Sequence, residues 1–195
     1  QVRIMAAQGL VVDSQTLWDQ VAALAKALTP SWERLRAEAL RQHVVGFDET
    51  SWKVLSKGNK KAWTMWQLST RQEIYFAIAP AADSVEGKKF MGDFSGIALG
   101  DAATVHKSMA KGAAYRLAFC WSHGRRRFIK AEGNDPIRSR QFLEIAKELW
   151  VIEAQAPPGR DGDELRLRLR QEQSKPVVEA IKVWLHEQRF LPESD

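Results

Sequence analysis

Cysteine is almost absent from this sequence, in which Cys120 is the single one. One cysteine cannot form an internal disulfide, so we expect the chain to work in a reducing compartment, the cytoplasm. Long apolar runs are also missing. None reaches the roughly 18 residues of a membrane-spanning helix, and the first residues lack the charged-then-apolar pattern of a signal peptide. These absences exclude a disulfide-stabilised secreted domain and a membrane protein.

Internal repeats and low-complexity tracts are absent as well, which excludes repeat architectures and a disordered tail. Of the 195 residues, 45% are hydrophobic, enough for a buried core in one domain or in one domain with an appendage. Lysine and arginine number 29 against 24 acidic residues, a formal charge of +5. This excess favours an anionic partner, although many basic proteins bind no anion.

Residues 1–42 are predicted to form a helical N-terminal segment. Residues 2–8 and 14–28 have helical patterns on either side of a turn at Gly9, and Pro30 is predicted to end the second helix. The arrangement has a loose likeness to a helix-turn-helix, but we favour a helical hairpin that packs on the main domain. Because the chain begins inside a helical pattern and stops after "LPESD", we expect it to be part of a longer protein.

From residue 43 the hydrophobic pattern changes to that of short strands. Short polar turns, "SKGNKK" and "TRQ", join the first three strands and favour antiparallel hairpins, whereas helical patterns separate the third strand from the fourth and the fourth from the fifth. The order is therefore β-β-β-α-β-α-β, an α/β domain with a mixed five-stranded sheet. The predicted strands are "HVVGFDE", "AWTMWQLS", "EIYFAIA", "GIALGD" and "YRLAFCW".

The rest of the chain has no further strand pattern. Residues 123–132 and 137–155 are predicted to be helices, and "APPGRDGD" is predicted to be a loop. A long last helix is predicted over about residues 163–189, with a bend at Pro176, whose ring displaces a backbone hydrogen bond.

Acidic residues end two strands that this topology brings together. A right-handed crossover places the fourth strand beside the first and parallel to it, so their carboxyl ends share one edge of the sheet. The first strand ends in Asp48 and Glu49, and the fourth in Asp101. Carboxylates that meet there repel each other unless a cation neutralises them. Mg²⁺ and Mn²⁺ prefer oxygen ligands, and both ions can activate a nucleophile and stabilise the leaving oxygen in phosphodiester chemistry. Because side chains alternate along a strand, we expect Asp48 to point at the site and Glu49 to point away.

The two aspartates also have a simpler interpretation, in which each caps a turn at the end of its strand. The spacing of two acids does not decide between that role and a metal site. No third metal-binding carboxylate is predicted on the C-terminal helices. The glutamates there have basic neighbours, a pattern typical of solvent-exposed helix faces.

A block of positive charge directly follows Asp101. Residues 102–131 contain seven Lys or Arg and no Asp or Glu. Such side chains neutralise phosphates and supply most of the non-specific affinity of proteins for DNA, although a solvated helix face is an alternative for the two lysines nearest Asp101. The predicted DNA-binding residues are Lys107, Lys111, Arg125, Arg126, Arg127 and Lys130.

Four stretches, "FDETSWKVL", "GDFSGIALGDA", "CWSHGRRRF" and "RQEQSKPVVEAIKVWL", occur in an order and at spacings that resemble the transposases of the bacterial insertion sequence sixty-six family. The resemblance runs from about residue 9 to the end. It implies an RNase H-like catalytic core over residues 43–132 and an incomplete helical insertion over residues 133–195. It also implies that Asp48 and Asp101 are the first two acids of a DDE centre that holds Mg²⁺ or Mn²⁺.

The implied function is DNA transposition: metal-dependent cleavage of phosphodiesters at the ends of an insertion sequence, followed by strand transfer into target DNA. The implied partners are both DNAs and further copies of the protein in a homo-oligomer, and the implied location is the bacterial cytoplasm, at the nucleoid. Two alternatives stay open. One is a nuclease or resolvase on the same fold that cuts without joining, and the other is a DNA-binding module in which the acids are incidental.

The sequence departs from the family at two places. The third acid of the family, a Glu in an "NNxxE" context, has no counterpart, so we expect it beyond residue 195 and expect this polypeptide alone to be inactive. DNA-binding and zinc-binding segments of the family are expected before Gln1. Ala102, Ala103 and Thr104 follow Asp101 where the family commonly has Gly and aromatic residues, which puts the shape of that loop in question.

Cys120 and His123 have the spacing of half a zinc site, but no second Cys-His pair exists to complete it. We expect Cys120 to be a small core residue on the last strand. For His123, an accessory role in orienting phosphate or a metal-bound water and a purely structural hydrogen bond both remain open.

Overall fold

The computed structural model describes residues 1–53 and 63–189, which belong to two compact units, Gln1–Phe119 and Cys120–Asp195. The predicted turn "SKGNKK" lies outside the described residues. Within the described ranges, every helix is too short or too polar to cross a bilayer.

The first unit begins with two helices, α1 (Val2–Ala7) and α2 (Ser14–Leu40). Asp13 starts α2, because its carboxylate accepts a hydrogen bond from the backbone N–H of Thr16 at 2.6 Å. The predicted break at Pro30 is wrong, since α2 continues through this residue. Proline removes one backbone hydrogen bond from a helix. This stretch of α2 is exposed, so water can satisfy the carbonyl that is left free.

Tertiary contacts hold α2 beyond Pro30. The Trp32 indole N–H donates to the backbone carbonyl of Phe76 at 2.8 Å, and the Arg36 guanidinium donates to the carbonyl of Phe90 at 2.9 Å. These partners are 44 and 54 positions away in the sequence, so no local pattern indicates them. They explain why the helix persists where the proline alone predicts its end.

The first unit contains one mixed five-stranded sheet, as predicted. Its strands are β1 (Val44–Trp52), β2 (Trp63–Ser69), β3 (Ile74–Ala79), β4 (Ile97–Gly100) and β5 (Arg116–Phe119), in the order β3-β2-β1-β4-β5. The first three strands pair antiparallel, and β4 lies parallel to both β1 and β5. This mixed arrangement agrees with an RNase H-like fold.

Two short helices form the connections that the parallel strands require. They are α3 (Ser84–Met91), between β3 and β4, and α4 (Thr104–Ala110), between β4 and β5. Asp83 starts α3 by accepting hydrogen bonds from two backbone N–H groups. One face of the sheet and the helices α2, α3 and α4 share a hydrophobic core, which includes Val45, Phe47, Trp66, Leu68, Ala39, Phe90, Met91 and Met109.

The second unit is helical. Its elements are α5 (Trp121–Ala131), α6 (Pro136–Glu153), a 3₁₀ turn (Arg160–Gly162), α7 (Asp163–Leu169), a π-helical turn (Arg170–Ser174) and α8 (Lys175–Gln188). Its larger core cluster is built on a stacked pair of rings, Phe128 and Phe142, whose centroids are 3.6 Å apart. Helical structure runs without a break from Asp163 to Gln188, as predicted, and the π-helical turn comes directly before Lys175 and Pro176, where a helix adapts to the hydrogen bond that proline cannot make.

Candidate metal centre

The carboxyl end of β4 lies beside the middle of β1; the prediction that β1 ends at Asp48 and Glu49 is wrong, because the strand continues to Trp52. The parallel pairing of these strands runs from Val44 opposite Ile97 to Gly46 opposite Leu99. β1 continues past this point along β2, so Asp48 and Glu49 extend beyond the segment that β4 covers. Asp101 directly follows the last residue of β4. The acids of both strands therefore occupy one edge of the sheet.

His106 joins the acids at this edge. Its Nε2 lies 2.5 Å from Oε2 of Glu49, and its Nδ1 lies 2.8 Å from Oδ1 of Asp101. The His106 side chain is fully buried, whereas the carboxylates of Glu49 and Asp101 are 18% and 26% exposed. The hydrogen bond at Nε2 is made with the Glu49 carboxylate, and the hydrogen bond at Nδ1 is made with the backbone carbonyl of Asp101 at 3.2 Å. The imidazole thus lies between the carboxylates of Glu49 and Asp101, which come from different strands.

The packing around His106 leaves space for its ring. The His106 ring packs against Phe47, with centroids 4.3 Å apart. A Cβ atom on Gly100 would lie 2.9 Å from the Phe47 ring and 3.0 Å from His106 Nδ1, closer than side chains tolerate. Glycine at position 100 therefore leaves the room that the imidazole fills.

The environment of His106 raises its pKa above the ordinary histidine value. Burial alone acts in the opposite direction, because it disfavours the charged ring. The hydrogen bond and negative charge of Glu49, and then the contacts with Asp101, outweigh burial and favour the imidazolium. Electrostatically, the protonated ring offsets part of the negative charge that the acids bring to this edge.

Asp48 lies close to the same group. Ligand atoms of Asp48, Glu49 and His106 are all within 4.8 Å of one another. The Asp48 side chain is exposed, and its Oδ1 accepts a hydrogen bond from the Glu49 N–H at 3.0 Å. The expectation that Glu49 points away from the site is wrong, because its carboxylate reaches His106. His106 thus contacts Asp101 and Glu49 directly and has Asp48 as a near neighbour.

The donors at this edge fit a hard divalent ion. Asp101 Oδ1 accepts a hydrogen bond from the backbone N–H of Ala103 at 2.8 Å and lies 2.8 Å from His106 Nδ1, whereas Oδ2 has no hydrogen-bond donor among the described residues. Asp48 is exposed beside a small pocket of about 60 Å³. Carboxylate oxygens are the ligands that Mg²⁺ and Mn²⁺ prefer. Both imidazole nitrogens already have carboxylate partners, so His106 fits a supporting role better than that of a ligand.

Sequence reasoning missed His106, although a signal for it exists. His106 and Met109 are the two fully buried residues of α4, and they are three positions apart on one helix face. A histidine on the buried face of a helix that starts three residues after a candidate metal-binding Asp needs a polar partner. That partner set, two carboxylates from different strands, depends on long-range pairing and is not visible in the local sequence.

The predicted DNA-binding residues belong to both units. Lys107 and Lys111 are exposed at α4 in the first unit, and the arginines and lysine of α5 are exposed in the second. No acidic group among the described residues forms an ion pair with any of the six, which are Lys107, Lys111, Arg125, Arg126, Arg127 and Lys130. Their charges are therefore available to phosphates.

The prediction that Cys120 lies on the last strand is wrong. β5 ends at Phe119, and the half-buried Cys120 is the residue before α5. His123 lies in the first turn of that helix. Its Nδ1 is buried and has no hydrogen-bond partner among the described residues, so the structural hydrogen bond proposed for it is not seen from that atom.

Comparison with known proteins gives a consistent assignment. The sequence model of the Transposase IS66 family matches residues 1–195. Two proteins of Sinorhizobium fredii (strain NBRC 101917 / NGR234), both named as uncharacterized, are also similar. One, y4jD, is 28% identical over 95% of this chain and 39% of its own length, and the other, y4hP, is 26% identical over 94% of this chain and 38% of its own length. The chain thus spans about two fifths of these relatives. It belongs to the IS66 (insertion sequence sixty-six) transposase family.

Proposed function

We propose that this chain is the catalytic-core portion of a DNA transposase that cleaves phosphodiesters at the ends of an insertion sequence and transfers the freed ends to target DNA. The observation that supports it most is the convergence of acids from β1 and β4 around His106 in a chain of a transposase family. Asp101 does cap the turn after β4, because its Oδ1 accepts the Ala103 N–H, but this role accounts for neither the buried histidine nor the carboxylate of Glu49 beside it.

In this proposal Asp48 and Asp101 are the catalytic, metal-binding residues. The free oxygens of the two carboxylates, Oδ2 of Asp101 and the exposed group of Asp48, are available to Mg²⁺ or Mn²⁺. When bound, such an ion supplies Lewis-acid stabilisation of the phosphate and activation of an attacking oxygen. The protein contributes orientation, because the Asp101 carboxylate accepts a hydrogen bond from Ala103 N–H and has His106 Nδ1 as a charged neighbour 2.8 Å away.

DNA is the proposed substrate and partner. In each unit taken by itself, the basic side chains named above are suited to bind the DNA phosphate backbone without reading its sequence. His123 is an accessory candidate for orienting phosphate or a metal-bound water, and the contact would not come from its buried Nδ1. The transposition complex is proposed to be a homo-oligomer that acts on DNA in the bacterial cytoplasm.

The test uses the full-length protein that contains this chain, with labelled insertion-sequence ends and a supercoiled target in Mg²⁺. Transposition predicts nicked ends and joined products, and both are lost in Asp48→Asn and Asp101→Asn while DNA binding persists. A nuclease or resolvase gives cleavage without joined products. Mg²⁺-dependent strand chemistry that survives in both variants would contradict the proposal, and a matched control is Asp19→Asn, an exposed Asp on α2.

A further inference from the structure

We infer that the sheet face that carries Asp48 binds unpaired nucleotides of the DNA strand that is processed, with Trp52 and Phe76 as the surfaces on which bases stack. The inference rests on the proposed function, because it names the part of the DNA substrate that lies beside the proposed catalytic acid. This surface, the Asp48 face, consists of Asp48, Thr50 and Trp52 on β1, Met65 and Gln67 on β2, and Phe76 on β3.

The Asp48 face is the side of the sheet opposite the hydrophobic core. On β1, the buried residues Val45 and Phe47 belong to that core. Side chains alternate along a strand, so Asp48, Thr50 and Trp52 point to the other side. All three are exposed, which agrees with this direction.

The strand registers place Phe76 on the same face. Asp48 lies opposite Gln67 on β2, and Gln67 lies opposite Phe76 on β3. Since neighbouring strands are about 4.8 Å apart, the Cα atoms of Asp48 and Phe76 are roughly 10 Å apart. Trp52 lies further along β1, at a rise of roughly 13 Å from Asp48. A stacked DNA strand advances about 3.4 Å per nucleotide, so both rings lie within a few nucleotides of a phosphate at Asp48.

Both aromatic rings present a large part of their surface. Trp52 is 44% exposed and Phe76 is 43% exposed. Within the described residues, neither ring stacks on another aromatic ring or on a cation. Every base has a π-face, so exposed aromatic rings bind single strands with little regard to sequence. RNA-recognition domains use aromatic rings on an open sheet face in the same way.

Polar groups between the rings favour a nucleotide strand over an apolar partner. The Asp48 carboxylate and the Gln67 amide belong to paired residues, and with Thr50 they line a pocket of about 60 Å³. An apolar helix packed over this face would remove these groups from water without giving them partners, which is unfavourable. A DNA strand brings its own donors and acceptors, and the exposed Lys53 directly after Trp52 adds a positive charge for its backbone.

The experiment compares two DNA probes by fluorescence anisotropy with this chain. One is a short duplex with a single-stranded thymidine tail, and the other has a tail of abasic sites, which keeps the phosphates and removes the bases. We expect the unmodified chain to bind the thymidine tail at least about fivefold more tightly than the abasic tail, which corresponds to the lower limit for stacking one base. Trp52→Ala and Phe76→Ala should each reduce this ratio, and the double variant should abolish the difference. Trp52→Phe keeps a ring and should retain most of the ratio.

The controls separate this inference from the proposed function and from loss of folding. Trp18→Ala is the matched control, because Trp18 is 66% exposed on α2, outside the Asp48 face, and the ratio should not change. Circular dichroism checks that each variant is folded. The inference is wrong if the unmodified chain binds both tails equally, if the double variant keeps the full ratio, or if Trp52→Phe loses it as completely as Trp52→Ala does. Each of these results leaves the proposed function intact, since failure of that function would appear as Mg²⁺-dependent strand chemistry that survives in Asp48→Asn and Asp101→Asn.

Discussion

Nε2 of His106 lies 2.5 Å from Oε2 of Glu49, although the two residues are 57 positions apart in the sequence. The contact exists because β1 and β4 are neighbours and α4 returns across the core face of the sheet. It joins the candidate metal centre to the hydrophobic core, so changes to this histidine should affect both folding and the acids beside it.

The stability of the protein should depend on pH through His106. Because the pKa of His106 is raised in the folded state, its contribution to the free energy of unfolding is fully present below the unfolded value, near pH 6.5, and is lost as pH rises through the higher folded value. Between pH 6 and pH 9, the free energy of unfolding measured with urea should therefore fall more for the unmodified chain than for His106→Asn. An equal loss in both would show that the imidazolium does not stabilise the fold.

Gly100 should not tolerate a side chain. In Gly100→Ala the new Cβ meets the Phe47 ring and His106 Nδ1 at about 3 Å, and we expect a loss of about 1–3 kcal/mol in the free energy of unfolding, as for other overpacked cores. Gly124→Ala is the matched control, because its Cβ meets no heavy atom within 4 Å and lies on helix α5. That control should be neutral or stabilising by up to about 1 kcal/mol. Equal effects in urea titrations would contradict this account.

The second unit should depend on the stacked pair Phe128 and Phe142. Phe142 is 3% exposed, and Phe142→Ala should lower the free energy of unfolding by about 3–5 kcal/mol through reduced burial and a cavity. Ile137, on the same helix but 71% exposed, provides the control, and Ile137→Ala should change stability by less than about 0.5 kcal/mol. Thermal or urea unfolding followed by circular dichroism measures both. A small effect at Phe142 would mean that this cluster is not the core of the unit.

The three arginines of α5 should contribute to DNA binding through charge. Replacing Arg125, Arg126 and Arg127 by Ala should weaken binding and reduce the slope of log K against log salt by about 0.9 for each phosphate that is no longer neutralised. Lys182→Ala is the control, because Lys182 already pairs with Glu179 at 2.6 Å and its charge is locally compensated. Fluorescence anisotropy with duplex DNA at several salt concentrations gives both quantities. An unchanged slope would place the DNA surface elsewhere.

The sheet could be predicted from the sequence because its signals are local. Period-two runs and short turns define the strands, and a right-handed crossover allows β4 to lie beside β1, which is where the structure has it. The positions of Asp48 and Asp101 at one edge follow from that topology.

The features that escaped prediction depend on distant contacts. Helix α2 passes through Pro30 because Trp32 and Arg36 are held by backbone carbonyls from β3 and the end of α3. The direction of the Glu49 side chain is set by a buried histidine on α4. Alternation along a strand gives the direction of a Cβ atom, but it does not determine where a long flexible carboxylate finds its partner.

The most direct test of the central claim is a crystal of this chain soaked in Mn²⁺ and measured for anomalous scattering. The account predicts one strong peak within coordination distance of carboxylate oxygens from both Asp48 and Asp101. A peak that contacts neither aspartate, or no peak at this edge while Mn²⁺ binds elsewhere, would contradict it.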